Sequence, residues 1–301
     1  MEYQECNDSA AEMTQAADIA DTEIASGEIT EPWLIIDASR RWNGFELREL
    51  WAHRELFSLL AWRDIKVRYQ QTVLGAAWAI LQPLLTATIF TVLFGKLARM
   101  PSEGEPYAIF SYSALLPWNF FNNAVTNGSN SLVGNANLIT KVYFPRLVIP
   151  GAAVAAALMD FVIAAVLLFV MMPWFGAGFS LRLVMLPVLA VLTAVVALGT
   201  GLWAAALNVK YRDVRYALPF ALQLWMYLTP VIYPVNIVPL RWRWMLELNP
   251  LTGIIEGFRD AVFGRPFDWA ALGLSAGIGL LLLAWSVTVF RRMEQEFADV
   301  I

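Results

Sequence analysis

The chain has 301 residues, 58% hydrophobic and only 15% charged. Soluble domains carry about a quarter charged residues, so lipid must solvate much of this surface. A single cysteine (Cys6) and a single histidine (His53) exclude an intramolecular disulfide, a cysteine metal cluster and a multi-histidine metal site.

Residues 1–31 hold nine acids and no base, against a formal charge of −4 for the whole chain. The body is therefore basic and the acidity belongs to a tail. Its composition predicts a disordered, solvated cytoplasmic extension. It has no apolar core, so a cleavable signal peptide is not expected. Residues 32–301 read as one all-α integral membrane domain.

That domain opens with a basic, Trp-bearing helix over about 45–70. On a helical wheel Ser58, Ala61, Trp62, Ile65 and Tyr69 share one stripe, flanked by Lys66 and Arg68. This pattern predicts an amphipathic helix lying at the interface, its cations reaching lipid phosphates. A plain positive anchor for the next span is the simpler alternative. Six apolar stretches then approach the ~20 residues a span needs: 73–97, 108–133, 151–172, 183–207, 217–233 and 269–290. Asp160 sits midway through the third, where an Asp costs about 2.5–3.5 kcal/mol to insert. It is either a proton or substrate contact or a carboxylate bonded to a neighbouring helix. One lone acid makes no proton path, which favours the second.

Residues 234–268 are too long for a turn, too apolar for a solvated loop and too broken by Pro and Gly to span. Two short helices dipping into the outer leaflet as a re-entrant hairpin, broken at Asn249-Pro250, fit best. Trp242, Trp244 and Trp269 suit the headgroup region. With the N-terminus inside, fourteen of the 21 Lys and Arg residues fall on cytoplasmic segments. This bias places both termini in the cytoplasm.

The chain has no G-x-x-x-x-G-K-[ST] loop and no G-x-S-x-G motif. A solute-moving chain of this kind needs an ion gradient or a partner ATPase. Residues 131–150 and 207–216 are the informative inner loops. Both mix aromatic, basic and amide side chains, as a docking surface does.

Four segments carry a resemblance. They are Trp62-Arg63-Asp64-Ile65-Lys66-Val67-Arg68-Tyr69; Asn135-Ala136-Asn137-Leu138-Ile139 with Lys141-Val142-Tyr143-Phe144-Pro145-Arg146; Asn208 to Tyr216; and Thr229-Pro230-Val231-Ile232-Tyr233-Pro234. In this order they resemble the permease subunits of type-2 ABC exporters, in the branch that exports O-antigen and other cell-surface polysaccharides. The likeness covers about 33–295.

The resemblance implies a homodimer of six-span subunits in a bacterial inner membrane, with two ATPase subunits below that hold ATP and Mg. This chain would carry no cofactor, bind no nucleic acid and perform no covalent chemistry. Its coupling loops would use Asn137, Lys141, Tyr143, Phe144, Pro145 and Arg146, and Lys210, Tyr211, Arg212, Asp213 and Arg215. Trp62, Arg63, Lys66, Arg68 and Tyr69 would form an inner entrance. Its cations would meet either the pyrophosphate of a lipid-linked glycan or anionic lipid. Residues 234–268 would form an outer gate.

Aromatic faces suit a sliding sugar chain. Phe90, Phe94, Tyr112, Trp118, Trp225 and Tyr227 are candidates for the path, with Phe110, Phe120 and Phe121 beside them; most such aromatics instead face lipid or pack in the bundle. Rival readings are an exporter of teichoic acid, lipid or drug, and a membrane glycosyl- or acyltransferase. For the latter, His53 alone is a poor acid/base centre.

Overall fold

The computed structural model describes residues 51–70, 77–142 and 144–294. The acidic tail, the start of the expected surface helix, the first residues of the first span and Tyr143 lie outside the described residues. The described regular structure is helical throughout. In chain order it comprises α1 (Arg54–Gln70), α2 (Ala77–Phe90, continued by π-helical turns Thr91–Leu97), α3 (Tyr107–Gly134), α4 (Ala136–Lys141) and α5 (Val148–Trp174). There follow α6 (Leu186–Lys210), α7 (Val214–Leu228), α8 (Leu240–Glu247), α9 (Pro250–Phe263) and α10 (Trp269–Glu294).

Among the described residues, four helical stretches are long and apolar enough to cross a bilayer: Ile80–Leu97, Val148–Trp174, Leu181–Lys210 and Trp269–Glu294. They match the first, third, fourth and sixth expected spans. The second expected span is α3, 28 residues long with nineteen of them buried. It packs against α2, α5, α6, α7 and α9. A helix wrapped by protein meets little lipid, so it can carry Ser and Asn where a lipid-facing helix cannot.

The fifth expected span is cut short. Helix α7 has 15 residues, about 22 Å at 1.5 Å per residue, against about 30 Å of hydrocarbon. It stops at Leu228 because Thr229 precedes Pro230, and a residue before proline is driven out of the helical region. Thr229 is extended, with ψ 140°.

Helix α1 also departs from expectation. Its inward face is Leu56, Phe57, Leu60 and Ala61, packed on the core at the loop end of the bundle. Trp62, assigned to the apolar stripe, is 66% exposed, and Ser58 is exposed too. Phe57 lies at Gly151, where an added Cβ would stand 3.2 Å from its ring. Twelve residues on, Tyr69 meets Asp160. Contacts nine residues apart on α5 span about 13 Å of helix axis. Helix α1 therefore climbs alongside α5 rather than lying across its end.

Residues 234–268 do form two short helices, α8 and α9, with the break at Leu248–Asn249. Helix α9 is mostly buried against α3, α6 and α10. Its approach to α10 depends on Gly253. A Cβ there would sit 2.6 Å from both the Ala271 carbonyl oxygen and Ser275 Oγ.

Candidate functional site

The loops at 131–150 and 207–216 lie at one end of the bundle. Asn208, at the end of α6, is buried and donates from Nδ2 to the Ser129 carbonyl (2.9 Å) and to Asn130 Oδ1 (3.2 Å) at the end of α3. Phe144 is 6% exposed and belongs to a core with Leu60, Ile139, Val148 and Phe290. It is therefore a plug that seats its loop, not the outward anchor expected of it. Arg146 is half-buried and donates to the Glu294 carbonyl oxygen, tying the loop to the end of α10. Pro145 is half-buried beside it.

The outward side chains at this end are Asn137 and Lys141 on the first loop, and Lys210, Tyr211, Arg212, Asp213 and Arg215 on the second. Tyr211 is 55% exposed and Tyr216 78%. The surface is mostly cationic with aromatic side chains between the charges, which suits an acidic or mixed protein partner.

The expected inner-entrance residues divide. Arg63 pairs with its neighbour Asp64 at 2.8 Å, and Lys66 and Trp62 point outward. Arg68 and Tyr69 turn inward. Arg68 Nη1 donates to Asp160 Oδ2, and Tyr69 Oη donates to Oδ1 of the same carboxylate. Asp160 is thus a bonded interhelix carboxylate. These three residues line a cavity of about 390 Å³ between α1, α2, α3 and α5.

The aromatic path candidates also divide. Tyr112 is fully buried, and its hydroxyl donates to the Ala164 carbonyl at 2.8 Å. Trp118 is 3% exposed and stacks on Phe121 at 5.6 Å between ring centres. Phe121 meets Trp225 edge-on at 5.1 Å. Trp225 Nε1 donates to Asn249 Oδ1 (3.1 Å), and Asn249 Nδ2 donates to Thr229 Oγ1 (2.8 Å). Tyr112, Trp118 and Trp225 therefore hold the subunit together. Phe90 and Phe94 are half-buried, edge to face at 5.4 Å. Tyr227 is half exposed.

Sequence reasoning missed two features. Arg259 on α9 is 1% exposed, with its guanidinium 3.8 Å from the centre of the Phe110 ring. It donates to Glu256 Oε1 (2.8 Å) and to the Val231 carbonyl (3.0 Å). It thereby fastens the Thr229–Pro234 segment to α9. The Glu256-x-x-Arg259 spacing was the available signal. The second feature is an amide row on α3, Asn119, Asn122, Asn123 and Asn127, which lines the cavity beside Arg68. Its spacing of three, four and eight from Asn119 was legible as one helical face.

The chain is 27% identical over 248 residues to an O-antigen export system permease protein, RfbA, of Klebsiella pneumoniae, covering 82% of this chain and 95% of that protein. It is 30% identical over 258 residues to the RfbA of Myxococcus xanthus, covering 85% and 98%. It is 23% identical over 257 residues to the polysialic acid transport protein KpsM of Escherichia coli, covering 84% and 97%. Residues 55–263, from α1 to the last residue of α9, match the ABC-2 type transporter family, and the chain belongs to that family.

Proposed function

We propose that this chain is the permease subunit of an ATP-driven exporter that moves a lipid-linked cell-surface polysaccharide, of O-antigen or capsule type, across a bacterial inner membrane. Two copies form the conduit, and two ATPase subunits drive it. Both termini and the loop end of the bundle face the cytoplasm, following the Lys and Arg bias. Helices α8 and α9 form the outer gate, and α7 completes its crossing with the residues after Thr229. The conduit draws on Tyr227, Phe90 and Phe94, which keep free surface in the single subunit.

One observation carries the reading: near end-to-end similarity to permeases named for O-antigen and polysialic acid. The two cationic loops gathered at one end, the second with Tyr211 and Tyr216 exposed, supply a place for force to enter a chain that has no nucleotide-binding motif of its own. The test is deletion of the chain in its host. Long-chain polysaccharide should disappear from the cell surface while its lipid-linked form accumulates inside, and the wild-type chain should restore it. Unchanged surface polysaccharide in the deletion strain would sink the reading.

A further inference from the structure

The cavity between α1, α2, α3 and α5 is unlike its surroundings. The bundle around it is apolar, yet it presents five carboxamides: Asn119, Asn122, Asn123 and Asn127 from α3, and Gln82 from α2. The four asparagines are half-buried. None of the five side-chain amides has a hydrogen-bond partner among the described residues. Contrast Asn130 and Asn135 on the same helix and just after it, whose amides close onto backbone carbonyls four residues back. Amides set in a low-dielectric bundle need partners. Four half-buried asparagines facing one space, with the exposed Gln82 beside them, call for an occupant rich in groups that both donate and accept.

A sugar ring meets that description, because each hydroxyl does both and each carboxamide offers two donors and an acceptor. Trp78 and Phe161 add aromatic surface to the lining. Among the described residues Arg68 supplies the one cation in the lining, held by Asp160 and two-thirds buried. A phosphate oxygen competes well with a carboxylate for a guanidinium.

We propose that this cavity binds the sugar–phosphate headgroup of a lipid-linked glycan. The first sugar sits on the amide row. The phosphate takes Arg68 from Asp160 and so loosens α1 from α5. The inference rests on the proposed function and adds the site, the division of labour within it and the switch.

The test uses the full-length chain in lipid nanodiscs. Three probes are compared: a polyprenyl diphosphate bearing one N-acetylhexosamine, the same polyprenyl diphosphate without sugar, and phosphatidylglycerol as competitor. The wild-type chain should prefer the sugar-bearing probe by at least tenfold. Asn123→Leu/Asn127→Leu should erase that preference and leave binding of the sugarless probe intact, which also reports that the variant is folded. Asn123→Gln/Asn127→Gln, which keeps the amides, should retain the preference. Arg68→Gln should weaken both diphosphate probes at least tenfold.

Wild-type preference in the leucine variant overturns the site. So does full competition by phosphatidylglycerol, which would assign Arg68 to bulk lipid. Loss of preference in the glutamine variant as complete as in the leucine one overturns the amide role. If the deletion strain exports polysaccharide normally and the wild-type chain ignores the sugar-bearing probe, the functional reading falls together with the site. If export depends on the chain and only the variants behave as wild type, the site alone falls.

Discussion

Arg68 on α1 is paired with Asp160 on α5, 92 residues later in the chain. This pair and the Tyr69 bond to the same carboxylate fasten the end of α1 to the middle of a membrane helix. Breaking a fully buried pair costs about 3–5 kcal/mol. These side chains are 31% and 18% exposed, so we expect about 1–2 kcal/mol here. Asp160→Leu should lower Tm in detergent, and Arg68→Leu/Asp160→Leu should recover part of the loss. Asp160→Asn, which can still accept from Tyr69, should keep most export activity. A double variant less stable than both singles would refute a direct pair.

Phe144 and Tyr211 should separate stability from coupling. Phe144 is buried, so Phe144→Ala opens a cavity worth about 3–5 kcal/mol and should reduce the amount of folded protein. Tyr211 is exposed, so Tyr211→Ala should leave Tm unchanged. It should cost about 2 kcal/mol of ATPase binding, roughly thirtyfold in affinity, read by co-purification. If Tyr211→Ala retains the ATPase as wild type does, this loop is not the docking surface.

Arg259 should be irreplaceable by lysine. A single ammonium cannot both sit over Phe110 and bridge Glu256 to the Val231 carbonyl. Arg259→Lys should lose at least one charged hydrogen bond, about 1.5–3 kcal/mol. Faster amide exchange should appear at 229–234 and 250–263 and spare α5. Unchanged exchange there would show that the fastening does not stabilise the hairpin.

Gly253→Ala should push α9 off α10, because the new methyl would meet backbone at 2.6 Å. Overpacking of this sort costs about 1–3 kcal/mol. Gly277→Ala on α10, where nothing lies within 4 Å of the added carbon, is the matched control. Equal Tm values for the two variants would count against the close contact.

Orientation is open to labelling. In a Cys6→Ser background, an impermeant thiol reagent on intact cells should label Glu103→Cys and spare Lys141→Cys and Arg212→Cys. Labelling at Arg212→Cys would invert the assigned topology.

Much of this protein was legible in its sequence because hydropathy belongs to runs of adjacent residues. Four long apolar helices, the length of α3, a break beside Asn249-Pro250 between α8 and α9, and the two basic–aromatic loops all follow from local pattern. The family motifs follow from local order as well. Other features depended on residues far apart in the chain. Only the packed bundle showed that Asp160 meets Arg68 and Tyr69, that α1 climbs along α5, and that Phe144 faces inward while Tyr211 faces out. A helical wheel ranks faces by composition, but burial is decided by the neighbour that arrives. For α1 that neighbour was Gly151, whose missing side chain admits Phe57. The same limit hid Arg259 and the cavity that the α3 amides line. A buried cation or an unpaired carboxamide can be interpreted only when its surroundings are known, because the free energy of a polar group in a membrane protein is set by its partners.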